Sequence, residues 1–171
     1  MEKLKNYIID YFKTKSEYFK IFDKNDVRVE GWFKGELLML LTSLKNESII
    51  SGFDREVKIY YSEKRYQIDF QINNGYEEYL IELKALAIGQ KRNTPRNLQF
   101  YFNHNKLGLI NDFDKLKKIN YKDEDKWVIA FIYPKPDKKE WEKLINENKI
   151  KVITDIDKFD DNFFIAIMRS K

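Results

Sequence analysis

Apolar residues recur at helical spacing from the start of the chain. Leu4, Tyr7, Ile8, Tyr11, Phe12, Tyr18, Phe19 and Phe22 predict an amphipathic helix over residues 2–23. Such a stripe reads first as a core-covering face and second as a membrane-surface helix. Phe33, Leu37, Leu40, Leu41 and Leu44 predict another helix from about Trp32 to Lys45. Glu36 lies among those apolar positions, one turn from both Trp32 and Leu40. A carboxylate at the edge of a buried stripe needs a partner, because an unpaired buried charge is costly.

The period then changes. Glu56–Ser62, Tyr66–Ile72 and Glu77–Lys84 alternate in the manner of strands, with Asn73-Asn74-Gly75 as a turn between the last two. Gly89 to Pro95 reads as a polar, basic loop, after which Thr94 and Pro95 predict an N-cap and first helical residue. That helix runs in two pieces to about Ile119, since Gly108 weakens its middle. Trp127–Tyr133 is apolar at both parities, as a strand covered on both faces should be, and Pro134 and Pro136 end it. Asp137 and Glu140 predict a capping box for a helix to about Asn148, and Lys151–Thr154 and Phe163–Met168 read as late strands. The order is helix, three strands, helix, strand, helix, then strands. It predicts one α/β domain over 1–171, with a core at 31–133, an N-terminal helix at 2–23 and a final helix and strands at 134–171.

Composition narrows the chemistry. The chain of 171 residues has no Cys and one His, His104. Thiolate metal sites, thiol nucleophiles, two-His metal sites and the zinc hydrolases with paired His therefore drop out. Any catalysis falls to carboxylates and lysines, with a hard, oxygen-liking cation. No stretch approaches the roughly 18 apolar residues of a membrane span, and the amphipathic N-terminus does not read as a signal peptide. A soluble, cytoplasmic protein without a membrane partner is expected. The net charge is +4, but Lys84, Lys91, Arg92, Arg96 and Lys106 all fall between Leu83 and Asn111, a stretch without Asp or Glu. That local excess exceeds the excess of the whole chain.

The hairpin from Tyr66 to Lys84 carries the candidate chemistry. With Ile72 set opposite Glu77, Asp69 falls opposite Leu80, and alternation gives a core face of Tyr66, Ile68, Phe70, Ile72, Tyr79, Ile81 and Leu83. The other face shows Gln67, Asp69, Gln71, Leu80, Glu82 and Lys84, with Asp69 and Glu82 as diagonal neighbours. Two carboxylates held together repel unless something positive sits between them. Mg²⁺ meets that need with one or two carboxylates plus water and substrate phosphate, and Mn²⁺ substitutes for it. On the residues alone, the same patch also reads as a solvated cross-strand ion pair.

Asp69, followed by Glu82-Leu83-Lys84 on the next strand, resembles the signature of the PD-(D/E)XK nuclease superfamily, although Ile68 stands where the motif has proline. The helix, three strands, helix, strand order from Trp32 to Tyr133 is similar to its restriction-endonuclease-like αβββαβ core. The resemblance implies Asp69 and Glu82 as metal ligands, Lys84 as catalytic lysine and Glu36 as the acidic residue of the first core helix. It also implies Gln99 as the glutamine of the following helix, with Gln90 competing for that role. The activity expected is Mg²⁺-dependent hydrolysis of phosphodiester bonds, in DNA rather than RNA. Lys91, Arg92 and Arg96 would grip the nucleic-acid backbone, and a two-fold homodimer would suit cutting both strands of a duplex. The alternative is a non-catalytic nucleic-acid-binding or assembly protein on the same fold.

Overall fold

The computed structural model describes residues 1–75, 77–91, 94–104 and 107–171. Helices α1 (Glu2–Lys13), α2 (Ser16–Lys24) and α3 (Glu30–Asn46) precede strands β1 (Gly52–Tyr61), β2 (Lys64–Asn74) and β3 (Glu77–Ala87). A short hairpin follows, β4 (Gly89–Lys91) with β5 (Thr94–Arg96), then α4 (Leu98–Tyr101) and α5 (Leu109–Lys117). The chain ends with β6 (Lys126–Tyr133), α6 (Lys138–Glu147), β7 (Ile150–Val152) and β8 (Phe164–Ser170). The result is an α/β fold around a mixed six-stranded sheet of order β1-β2-β3-β6-β8-β7. Among the described residues of this sheet, only β3 and β6 pair in parallel. Among the described residues no helix is long and apolar enough to cross a membrane.

The apolar stripes cover the two faces of this sheet. Phe33 of α3 lies flat on Phe131 of β6, ring centroids 4.2 Å apart, and Phe12 of α1 meets the same ring at 4.5 Å. Phe19 of α2 packs beside Tyr133. Phe131 and Tyr133 pair with Ala85 and Ala87 of β3, so α1, α2 and α3 lie over the face that also shows Ile81 and Leu83. The opposite face shows Glu82, Lys84 and Leu86 of β3, and α5 packs there, with α6 beside it through Trp141 against Phe164. Every residue of β6 is buried, as a strand apolar at both parities requires. The buried positions of α3 are Phe33, Leu37, Leu40, Leu41 and Leu44, the stripe read from spacing.

Three local expectations change. The helix expected over 2–23 is two helices, because the Thr14 hydroxyl donates to the Tyr11 carbonyl at 2.6 Å and closes the last turn of α1. The bend lets both Phe12 and Phe19 reach the sheet. The loop expected from Gly89 contains β4 paired with β5, and the next helix begins after Asn97, whose side chain accepts from the Phe100 N–H, rather than at Thr94 and Pro95. Finally, Asn74 pairs with Glu77, so the β2–β3 register is shifted by two residues from the one expected. Gly75 at φ +67° permits the tighter hairpin, and Ser51 Oγ accepts its N–H at 2.8 Å. A shift of two leaves every side chain on its expected face. It also moves Asp69 from a diagonal position to one opposite Glu82.

Candidate active site at the fork between two strands

The ladder between β2 and β3 runs only from Asn74↔Glu77 to Phe70↔Ile81, and then the strands part. Asp69 is the first residue past the fork. Its Oδ2 accepts the Leu83 N–H at 2.9 Å, standing in for the backbone carbonyl that β2 no longer supplies. The β1–β2 ladder also skips this point, where Glu56 adopts φ +54° opposite Asp69. Beyond the fork no described strand pairs with this edge of β3. Charged side chains from helices on both faces therefore meet there.

Seven of them do. From α3, Lys34 Nζ lies 2.7 Å from Asp69 Oδ1 and 3.5 Å from Glu30. From α5, Lys115 Nζ lies 2.6 Å from Glu82 Oε1 and also donates to the Gln67 carbonyl at 3.1 Å. Lys84 Nζ is 2.9 Å from Asp112 Oδ2. Glu82 Oε1 and Asp112 Oδ2 are both buried, and the ammonium groups of Lys115 and Lys84 meet them at ion-pair distance. Glu82 is only 3% exposed. Burial pushes its carboxyl up to about 8, with the negative charges of Asp69 and Asp112 adding to the effect and Lys115 opposing it. Asp112 is also raised by burial, against the pull of Lys84. At Lys34 burial acts downward, but the hydrogen bond to Asp69 and the charges of Asp69 and Glu30 prevail and raise it.

Asp69, Glu82 and Lys84 are thus brought to one place. Glu36 is not with them. It accepts from the Tyr11 hydroxyl at 2.7 Å and pairs with Lys15 at 3.2 Å. Two residues along a helix turn a side chain by about 200°, so Glu36 and Lys34 point away from each other. The acidic residue of α3 that joins the cluster is Glu30, which also bears on Asp112. Sequence reading missed Glu30, Lys34, Asp112 and Lys115. The Glu30–Lys34 spacing of four was a visible sign of a pair on one helix face, but nothing local tied that pair to Asp69. Gln99 is exposed on α4. Arg96 and Arg28 both act on the buried Tyr101 hydroxyl, which donates to the Ala87 carbonyl at the end of β3. Arg92 lies outside the described residues, as do the side chains of Gln90 and Lys91. His104 stands on the surface, 3.3 Å from Asp114.

A cleft of about 270 Å³ opens between α3 and the β1–β2 pair, lined by Gly31, Lys34, Gly35, Arg55, Glu56 and Asp69. A Cβ at Gly31 or Gly35 would meet nothing within 4 Å, so these glycines keep that side of α3 bare. As for a cation, among the described residues no group of three or more Asp, Glu and His side chains is gathered to hold one. Asp69 and Glu82 do offer hard oxygen donors at the fork, close enough for the charge of Asp69 to act on Glu82. The Glu82 carboxylate is buried, and a divalent ion held there would take the place of the Lys115 ammonium now 2.6 Å from its Oε1. Lysine ammonium groups hold the positions such an ion would neutralise. No protein-family model, curated protein or solved structure matches this chain, so the residues at the fork themselves ground the functional reading.

Proposed function

We propose that this chain is a metal-dependent nuclease that hydrolyses phosphodiester bonds in DNA, on a restriction-endonuclease-like core. The observation that carries this reading is the meeting of Asp69, Glu82 and Lys84 where β2 leaves β3. Supporting it are the order α3, β1, β2, β3, α5, β6 and the cations Lys34, Lys84 and Lys115 around the carboxylates.

Asp69 and Glu82 would hold Mg²⁺, or Mn²⁺ in its place, with Lys34 and Lys115 released from them. When bound, the ion supplies an acidified water and stabilises charge on phosphoryl oxygens. Lys84, anchored by Asp112 at 2.9 Å, presents a fixed positive charge that orients the attacking water and offsets the charge growing on phosphorus oxygens. Lys34 and Lys115, once freed, face the incoming backbone as phosphate partners. Glu30 keeps Lys34 oriented.

One observation favours the second reading, a non-catalytic nucleic-acid-binding protein: Asp69, Glu82 and Asp112 each have a lysine already in contact. The deciding experiment incubates purified protein with plasmid and single-stranded DNA in Mg²⁺, Mn²⁺ or EDTA, beside Asp69→Asn and Lys84→Gln. Metal-dependent cleavage lost in both folded variants supports the nuclease. DNA retained on a gel but uncut in every metal overturns it in favour of binding alone.

A further inference from the structure

Beyond the fork, β2 has only β1 for company among the described residues. The β1–β2 ladder continues through Val57↔Ile68, Lys58↔Gln67, Ile59↔Tyr66 and Tyr60↔Arg65 to Tyr61↔Lys64, whereas β3 pairs with no residue of β2 before Phe70. Residues 57–68 therefore form a two-stranded ribbon that runs past the edge of β3. Its faces differ. Val57, Ile59, Tyr66 and Ile68 continue the apolar face of β2 and are half-buried or buried. Lys58, Tyr60, Arg65 and Gln67 alternate onto the other face and are all exposed, Tyr60 at 72%. That outer face has the same parity as Asp69 and Glu82, so it extends the candidate site without a break.

We infer that this ribbon is the duplex-binding arm of the protein, with its Lys58–Tyr60–Arg65–Gln67 face set in the major groove of DNA. The inference rests on the nuclease reading for the location of the scissile strand, and it names the substrate as double-stranded. Three features carry it. Neither Lys58 nor Arg65 has an ion-pair partner among the described residues, although Lys34, Lys84 and Lys115 nearby are all engaged. Two unpaired cations on one ribbon face complement phosphate. Tyr60 and Gln67 put a ring and an amide between those cations, groups that contact base edges. Lastly, four residues of strand separate Arg65 from Asp69, about 13 Å, which is the scale of one groove crossing. The major groove of B-form DNA, about 12 Å wide, admits a two-stranded ribbon. The deep, narrow major groove of A-form RNA does not. In the metal-free chain Lys115 joins the base of the ribbon to β3, meeting both Glu82 and the Gln67 carbonyl.

The test is fluorescence anisotropy of a labelled DNA duplex with the full chain in EDTA, over a salt series, so that binding is read without cleavage. The double variant Lys58→Gln/Arg65→Gln is expected to bind about tenfold more weakly. Its slope of log affinity against log salt is expected to fall by about 0.9 for each phosphate left without a cation. Both positions are exposed, and an unchanged thermal midpoint checks the fold. Lys64→Gln, on the opposite face, is expected to bind as the parent does. An unchanged salt slope in the double variant overturns the arm, and equal weakening by Lys64→Gln overturns the face assignment. Duplex RNA or single-stranded DNA bound as tightly as duplex DNA overturns the groove. Ribbon-dependent binding that persists in a parent chain unable to cut would sink the nuclease reading while leaving the arm in place.

Discussion

Asp69 accepts the Leu83 main-chain N–H at 2.9 Å with one carboxylate oxygen and meets the Lys34 ammonium at 2.7 Å with the other. A candidate catalytic group thus also closes the ladder at the point where β2 and β3 part. Removing the side chain leaves a main-chain donor and a lysine without their acceptor. Asp69→Ala is expected to cost about 1–3 kcal/mol in urea unfolding. Asp69→Asn, which keeps an oxygen for Leu83, is expected to cost less. Equal destabilisation of the two variants would show that the Leu83 hydrogen bond contributes nothing.

Glu82 gives the metal-free chain a pH dependence of definite sign. Its folded carboxyl is raised to about 8 from an ordinary value of 4.5, mainly by burial. The folded chain then binds this proton more tightly than the unfolded chain, so stability falls as pH rises between those values. Measured in EDTA, the unfolding free energy should decline from about pH 5 to about pH 8, and Glu82→Gln should remove that component, on the order of a few kcal/mol. A variant with the same slope as the parent contradicts the assignment.

A divalent ion held by Asp69 and Glu82 must stabilise the folded chain by mass action. At one hundred times its dissociation constant the gain is about 2.7 kcal/mol. Differential scanning fluorimetry in Mg²⁺ or Mn²⁺ is expected to show a rising midpoint in the parent and none in Glu82→Gln. A rise of the same size in both places the ion elsewhere.

Glu30 and Glu36 separate what spacing suggests from what packing does. Glu30→Gln loosens Lys34 beside Asp69 and is expected to lower cleavage about 10–100-fold, the range for residues that orient a metal site. Glu36→Gln acts on Tyr11 and Lys15 and should leave cleavage near that of the parent. A steady-state comparison in which Glu36→Gln is the more damaged protein reverses the assignment.

Gly35 lies inside α3, where a Cβ would meet nothing within 4 Å. Gly35→Ala should therefore raise stability by about 0.5–1 kcal/mol through backbone entropy alone. A chemical denaturation midpoint that falls instead would mean that the cleft beside Asp69 is tighter than its lining indicates.

Hydrophobic spacing alone was enough for the long core elements and for which face each residue takes. Periods of helix and strand are written in which positions are apolar, so α3, β2, β3 and the doubly buried β6 were legible, down to the buried set Phe33, Leu37, Leu40, Leu41 and Leu44. Alternation likewise put Asp69, Glu82 and Lys84 on one side of a hairpin, and that survived a two-residue error in register because the pleat has a period of two. Tertiary structure alone decided the partners. Lys34 comes to Asp69 from one face of the sheet, and Lys115 and Asp112 come to Glu82 and Lys84 from the other. These meetings depend on β2 leaving β3 after Phe70, an event with no local signature, since strand residues look alike whether or not a neighbour is bonded to them. For the same reason spacing and resemblance named Glu36 and left Glu30 unremarked: only the packing of α3 against the sheet sets which acidic residue of the helix reaches the fork.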